Sequence, residues 1–134
     1  KAVEVNHSRP EKVIEYVKYF MGLNTRKLPI VLLGLTYKAD IDDLRSSPAL
    51  DIFDELDGTY DTYAYDPYIP LFGTSKLLPN LHRSHLSNSA LVVILVAHEE
   101  FIKRKDYIAN HSRHILDCAG VYTAKLPNVT KLID

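Results

Sequence analysis

One cysteine, Cys118, among 134 residues excludes an intramolecular disulfide and suits a reducing compartment. No apolar run approaches the roughly 20 residues that cross a bilayer. No secretory leader pattern opens the chain, so neither a membrane span nor export is expected. Charge of one sign is missing too. The 16 basic residues against 17 acidic ones leave a net charge of −1, where a dedicated nucleic-acid binder would carry a basic excess. Internal repeats and low-complexity segments are absent. So are the backbone cradles for phosphate. Gly34 follows the first apolar strand pattern alone, with no G-x-G-x-x-G and no P-loop, so an anion would have to be held by side chains.

What is present is enough for one good core and a single domain, with 46% apolar residues. Helix and strand patterns alternate. Glu11–Met21 places Val13, Ile14, Val17 and Phe20 on one helical face, with Gly22 as a stop. Leu28–Leu33 reads as a buried strand, Pro48–Leu56 as a helix, and Thr59–Asp66 as a strand broken by Pro67 and Pro70. Asn80–Arg83 reads as a short third strand and Ser84–Ser89 as a short helix or turn. Leu91–Ala97 is the strongest strand; Glu99–Tyr107 reads as helical, started by Glu99 and Glu100 at the positive end of its dipole. His114–Cys118 and Val129–Ile133 complete the strands.

Strands joined by helical crossovers imply an α/β, Rossmann-like three-layer sandwich with a mostly parallel sheet of about five to six strands. In the doubly wound order, the strands at 28–33 and 91–97 meet at the switch point, where ligands sit beyond the carboxyl ends. The crevice is then lined by the loop after Leu33 and by Ala97-His98-Glu99, setting Tyr37, Lys38 and Arg45 opposite His98. That loop runs from Gly34 to Pro48, and Ser47-Pro48 is a helix start: a hydroxyl cap followed by a residue that needs no N–H donor partner. Lys38 offers a point charge and Arg45 a fork for an anion. Asp40, Asp42 and Asp43 outnumber them, and on residue chemistry alone surface pairing is the stronger reading.

The motif G-L-T-Y-K-A-D-I-D-D-L-R-S-S-P-A-L-D-I, Gly34 to Ile52, resembles the hallmark of the C-terminal, UDP-binding domain of the UDP-glucose/GDP-mannose dehydrogenase family. It is most similar to the branch that oxidises UDP-N-acetylmannosamine or UDP-N-acetylglucosamine at C6. Other segments agree in order: Val5-Asn6 with Pro10, Tyr65-Asp66-Pro67, Val93 to Phe101 with its H-x-x-F, and Asp117 with Gly120. The resemblance implies a domain of an NAD-dependent UDP-sugar 6-dehydrogenase, inactive alone. Residues 1–22 would be the tail of a central connecting helix and 23–134 the UDP-binding domain. Lys38 matches the family lysine that holds the UDP-sugar, with Tyr37 beside it, and Arg45 the arginine that reaches toward the NAD pyrophosphate. No catalytic residue and no metal ligand is implied within this chain. NAD would be bound mainly by the absent N-terminal domain, and the parent protein would be a cytoplasmic homodimer. A stand-alone nucleotide-binding or interaction module without catalysis is the alternative.

Two positions depart from the family pattern. Asp117-Cys118-Ala119-Gly120 stands where many members have D-T-[KR]-G, losing a cation, and His7 stands where an acid is usual. Cys118 reads as a small apolar residue at a strand end. His82 with His85, and His111 with His114, read as surface histidines for want of Cys or carboxylate partners. Tyr60, Tyr63, Tyr65 and Tyr68 read as packing and interface rather than as a stacking platform.

Overall fold

The computed structural model describes residues 10–24, 26–45, 47–69 and 76–132. Within them the order is α1 (Pro10–Leu23), β1 (Ile30–Leu33), α2 (Pro48–Asp57), β2 (Thr62–Tyr65), α3 (Arg83–Ser87), β3 (Leu91–Ile94), α4 (Glu99–Lys103), α5 (Lys105–His111), β4 (Ile115–Asp117) and β5 (Val129–Lys131). The five strands form one sheet in the order β2-β1-β3-β4-β5, every pair parallel. The doubly wound α/β expectation holds, and β1 and β3 meet in register, Leu33 opposite Ile94.

Strand alternation divides the interior in two. Ile30, Leu32, Leu91, Val93 and Leu116 point to one face and pack with Val13 and Val17 of α1 and Ala49, Ile52 and Leu56 of α2. Val31, Leu33, Val92, Ile94 and Ile115 point to the other and meet Leu86, Phe101 and Ile108 of α3, α4 and α5. Because both faces are covered, β1 and β3 are apolar at every position, as buried parallel strands must be. Each such Val, Leu or Ile contributes about 1.5–3 kcal/mol relative to exposure.

Two details position the site. Ser47 Oγ accepts from Leu50 N–H at 3.4 Å and donates to Leu35 C=O at 2.6 Å, so one hydroxyl starts α2 and ties it to the end of β1. Gly34 turns the chain off β1 at φ +100°, and a Cβ there would lie 2.7 Å from Val96 Cβ and 2.9 Å from Val96 N. No other residue type fits both the dihedral and the space.

Several elements differ from the sequence reading. No strand forms at Asn80–Arg83: Leu81 C=O is taken by Arg104 Nη2 at 2.9 Å, and His82 leads into α3. The outer edge of β2 is instead bridged by Leu77, through Ala64. The single helix expected over 99–107 is two, because Arg104 (φ −104°, ψ 17°) leaves helical geometry between α4 and α5. Its guanidinium is held by Glu100 at 3.1 Å and lies over the Tyr107 ring, contacts that no glycine or proline in the sequence announces. α1 runs through Gly22 to Leu23 rather than stopping there. Val5, Asn6, His7, Pro70 and Ile133 lie outside the described residues.

Candidate functional site

The carboxyl ends of β1, β2 and β3 lie side by side, and the loop from Gly34 to Ser47 leaves the sheet there. What holds the loop is a buried carboxylate on the neighbouring strand end. Asp66 Oδ2 accepts Leu35 N–H at 2.6 Å, Thr36 N–H at 3.2 Å and His98 Nε2–H at 2.9 Å. Its Oδ1 accepts Tyr68 N–H at 2.8 Å.

His98, fully buried, continues the brace from β3. Its Nδ1 accepts Asp40 N–H at 2.8 Å, so the ring proton sits on Nε2 and the imidazole is neutral. Thr36 Oγ1, 3.2 Å from that Nε2, donates its own proton to Lys38 C=O at 2.8 Å. Asp40 takes a left-handed backbone (φ 61°), which Asp tolerates better than most residues. Its Oδ1 accepts Glu99 N–H at 2.8 Å and Tyr68 O–H at 3.1 Å. That carboxylate caps α4, whose own flanking residue His98 supplies no side-chain cap.

The predicted binding residues fall on the outer side of this brace. Tyr37 is 40% exposed, and its N–H donates to Asp43 C=O at 2.7 Å. Lys38 is exposed, its ammonium 5.9 Å from the Tyr37 ring centroid. Among the described residues no carboxylate pairs with it. Arg45 forks onto Asp43, Nε to Oδ1 and Nη2 to Oδ2, both at 3.1 Å. That contact lowers the Asp43 pKa and raises that of Arg45. The surface pairing considered for the loop thus applies to Arg45, while Asp40 is used by the backbone and Lys38 is left unpaired by those acids. His98 does not face the loop's side chains across a crevice. It lies beneath them.

Asp66 and Asp40 were not legible as structural anchors. Asp66 appeared only as part of Y-D-P, and Asp40 as one of three loop acids. The available signal was a lone acid after a buried strand and before proline, where exposed backbone donors need an acceptor. Asp117 repeats the device after β4, accepting Ala119, Gly120 and Val121 N–H on Oδ1 and Tyr122 N–H on Oδ2 at 2.8–3.2 Å.

Other groups are accounted for by packing. Cys118 is 1% exposed, and desolvation beside Asp117 pushes its thiol far up, which removes it as a nucleophile. Burial and a 2.9 Å bond to Glu100 push Tyr65 up to about 12. Among the described residues there is no group of three or more His, Cys, Asp or Glu that could hold a metal, and no helix long and apolar enough to cross a membrane. His114 bonds Thr130 Oγ1 and stacks on Phe20, while His85 accepts His82 N–H. Two cavities, of about 200 and 410 Å³, lie toward the amino ends of β1 and β2, away from Lys38.

A dinucleotide fits this edge poorly. Leu35 and Thr36 N–H, the donors that would face a pyrophosphate after β1, are already given to Asp66. Fold and edge together define an open parallel α/β domain whose carboxyl edge carries exposed side chains in place of a glycine cradle. The chain belongs to the UDP-glucose/GDP-mannose dehydrogenase family, matching its UDP binding domain over residues 31–124. An NDP-N-acetyl-D-galactosaminuronic acid dehydrogenase from Ralstonia nicotianae is 33% identical over 131 residues, 92% of this chain and 30% of that protein. A UDP-N-acetyl-D-mannosamine dehydrogenase from Campylobacter jejuni is 36% identical over 109 residues, 76% of this chain and 26% of its own length. The UDP-N-acetyl-mannosamine dehydrogenase of Staphylococcus aureus superposes with a TM-score of 0.76 at 29% identity, over 96% of this chain and 30% of that one. The chain therefore spans 26–30% of the length of these relatives.

Proposed function

We propose that this chain is the UDP-sugar-binding domain of a longer NAD-dependent UDP-sugar 6-dehydrogenase, one that oxidises the C6 alcohol of UDP-N-acetyl-D-mannosamine or a close analogue to a carboxylate. The observation that carries the reading is Lys38: an exposed ammonium at the sheet's carboxyl edge that no described carboxylate takes, on a loop held from below by Asp66 and His98. Lys38 attracts the diphosphate as a point charge, and Tyr37 lines the same surface. Arg45, 89% exposed at its side chain, exchanges Asp43 for the NAD pyrophosphate across the domain boundary. These groups bind and orient. None does chemistry, and NAD is held chiefly by the remaining domains, which close the other side of an open cleft.

On this reading α1 (Pro10–Leu23) represents, among the described residues, the tail of a connecting helix through which two copies pair. Tyr19 and Leu23, one turn apart on α1 and 65% and 67% exposed, suit such a contact. A cytoplasmic setting goes with the single unpaired thiol.

The test is Lys38→Ala in the full-length protein, assayed by NADH formation with UDP-N-acetyl-D-mannosamine. Loss of a charge-assisted contact of about 1.5–3 kcal/mol should raise KM about 10- to 150-fold. An unchanged KM refutes the role given to Lys38.

A further inference from the structure

We propose that His98 is a positioning residue for the nucleotide: through its Nδ1 acceptor, it sets where the Lys38 backbone stands above the sheet. The inference rests on the reading of Lys38 as the UDP contact.

Lys38 is exposed, yet the chain on both sides of it is tied down. On the amino side, Thr36 N–H goes to Asp66 and Thr36 Oγ1 holds Lys38 C=O. On the carboxyl side, Asp40 N–H goes to His98 Nδ1, and Asp40 Oδ1 is held by Glu99 N–H and Tyr68 O–H. The two sides meet in one buried imidazole, whose Nε2 reaches both Asp66 and Thr36 Oγ1. Three strand ends are thereby referenced to one ring: β1 through Thr36, β2 through Asp66 and β3 through His98 itself. Tyr68 covers it, ring centroids 4.8 Å apart, and Phe101 packs at 5.5 Å. A ring with no exposed surface and every nitrogen engaged has no capacity left for ligand, so its influence on binding has to pass through the loop.

The two ring nitrogens do different jobs, and amide side chains can imitate them separately. In His98→Asn the carboxamide oxygen stands near the position of Nδ1 and can still accept Asp40 N–H, but nothing reaches Asp66. In His98→Gln the amide reaches Asp66, while the part-buried Asp40 N–H loses its side-chain acceptor. A purely structural histidine predicts that affinity follows stability, with the smaller Asn the worse because it leaves the larger void. A positioning histidine predicts the reverse order for ligand.

The experiment measures the Kd of UDP by calorimetry on the full-length protein for wild type, Lys38→Ala, His98→Gln and His98→Asn, with urea midpoints alongside. The expected result is a Kd raised at least tenfold by Lys38→Ala and by His98→Gln, with His98→Asn within about threefold of wild type despite the lower midpoint. Equal losses in the two His98 variants, or a loss that tracks the midpoints, overturn the inference. If Lys38→Ala weakens UDP and His98→Gln does not, the inference fails and the role of Lys38 survives. If Lys38→Ala has no effect, the role of Lys38 fails first. Should the His98 variants not fold, 15N spectra of the wild-type protein decide. A protonated Nε2 with a bare Nδ1 coupled to the Asp40 amide is expected, and a proton on Nδ1 overturns the assignment.

Discussion

Replacing Gly34 with alanine places one methyl group where the backbone and the neighbouring strand both refuse it. At φ +100° an L-residue costs at least the 1–2 kcal/mol of a left-handed conformation. The new Cβ would also lie 2.7 Å from Val96 Cβ and 2.9 Å from Val96 N. Part of that contact is main chain, so no rotamer change relieves it, and overpacking of this kind costs about 1–3 kcal/mol. Together the loss should be about 2–5 kcal/mol, a large part of the 5–15 kcal/mol that holds a typical domain folded. With an unfolding entropy near 0.28 kcal/mol/K for 134 residues, Tm should fall by about 7–18 °C. Urea denaturation gives the free energy, and a double-mutant cycle with Val96→Gly separates the two causes. Removing the Val96 side chain should return about 1–2 kcal/mol of coupling and leave the dihedral cost in place. A Gly34→Ala loss below about 1 kcal/mol, or additivity within the cycle, would refute the packing account.

Three further outcomes are expected. Asp66→Ala leaves Leu35, Thr36 and Tyr68 N–H and the His98 ring proton without their acceptor, and should cost about 3–5 kcal/mol by equilibrium unfolding. Asp66→Asn keeps one acceptor oxygen and should cost about half as much; equal losses would contradict the bonding described. Burial lowers the pKa of both His85 and His114 below the ordinary 6.5, so the unfolded chain binds more protons and stability should fall as pH drops through and below 6.5. His114→Gln should flatten that slope, and a urea midpoint that rises on acidification reverses the sign and sinks the argument. Cys118, buried with its thiol pushed up, should label slowly with a disulfide reagent in the native protein and at once in urea. Rapid native labelling would contradict its burial.

The sheet was legible because its evidence is local. Ile30–Leu33 and Leu91–Ile94 are apolar at every position, and only strands covered on both faces read that way. Ser47-Pro48 announced α2 for an equally local reason. The break at Arg104 and the loss of a strand at Asn80–Arg83 were hidden, since both depend on where one guanidinium reaches across the fold, to Leu81 and Glu100. For the site, the loop motif named the outward-facing residues Tyr37 and Lys38, but the brace beneath them joins residues about 30 to 60 positions apart. No spacing rule connects Asp66, His98 and Asp40. Only the parallel register of β1, β2 and β3 does.

Asp66 also occupies the amides that open the loop after β1. In sheets of this kind, the amides that open the first loop are where a phosphate normally settles. Here that seat already holds an anion of the chain's own, with the Leu35 and Thr36 amides and the His98 ring turned toward it. The domain is self-liganded at its deepest point. Under the proposed function, a visiting diphosphate would meet side chains long enough to stand clear of the backbone, and recognition would pass from rigid main chain to residues that substitution can change one at a time. Restoring an amide cradle would require evicting the resident carboxylate before adding a single glycine.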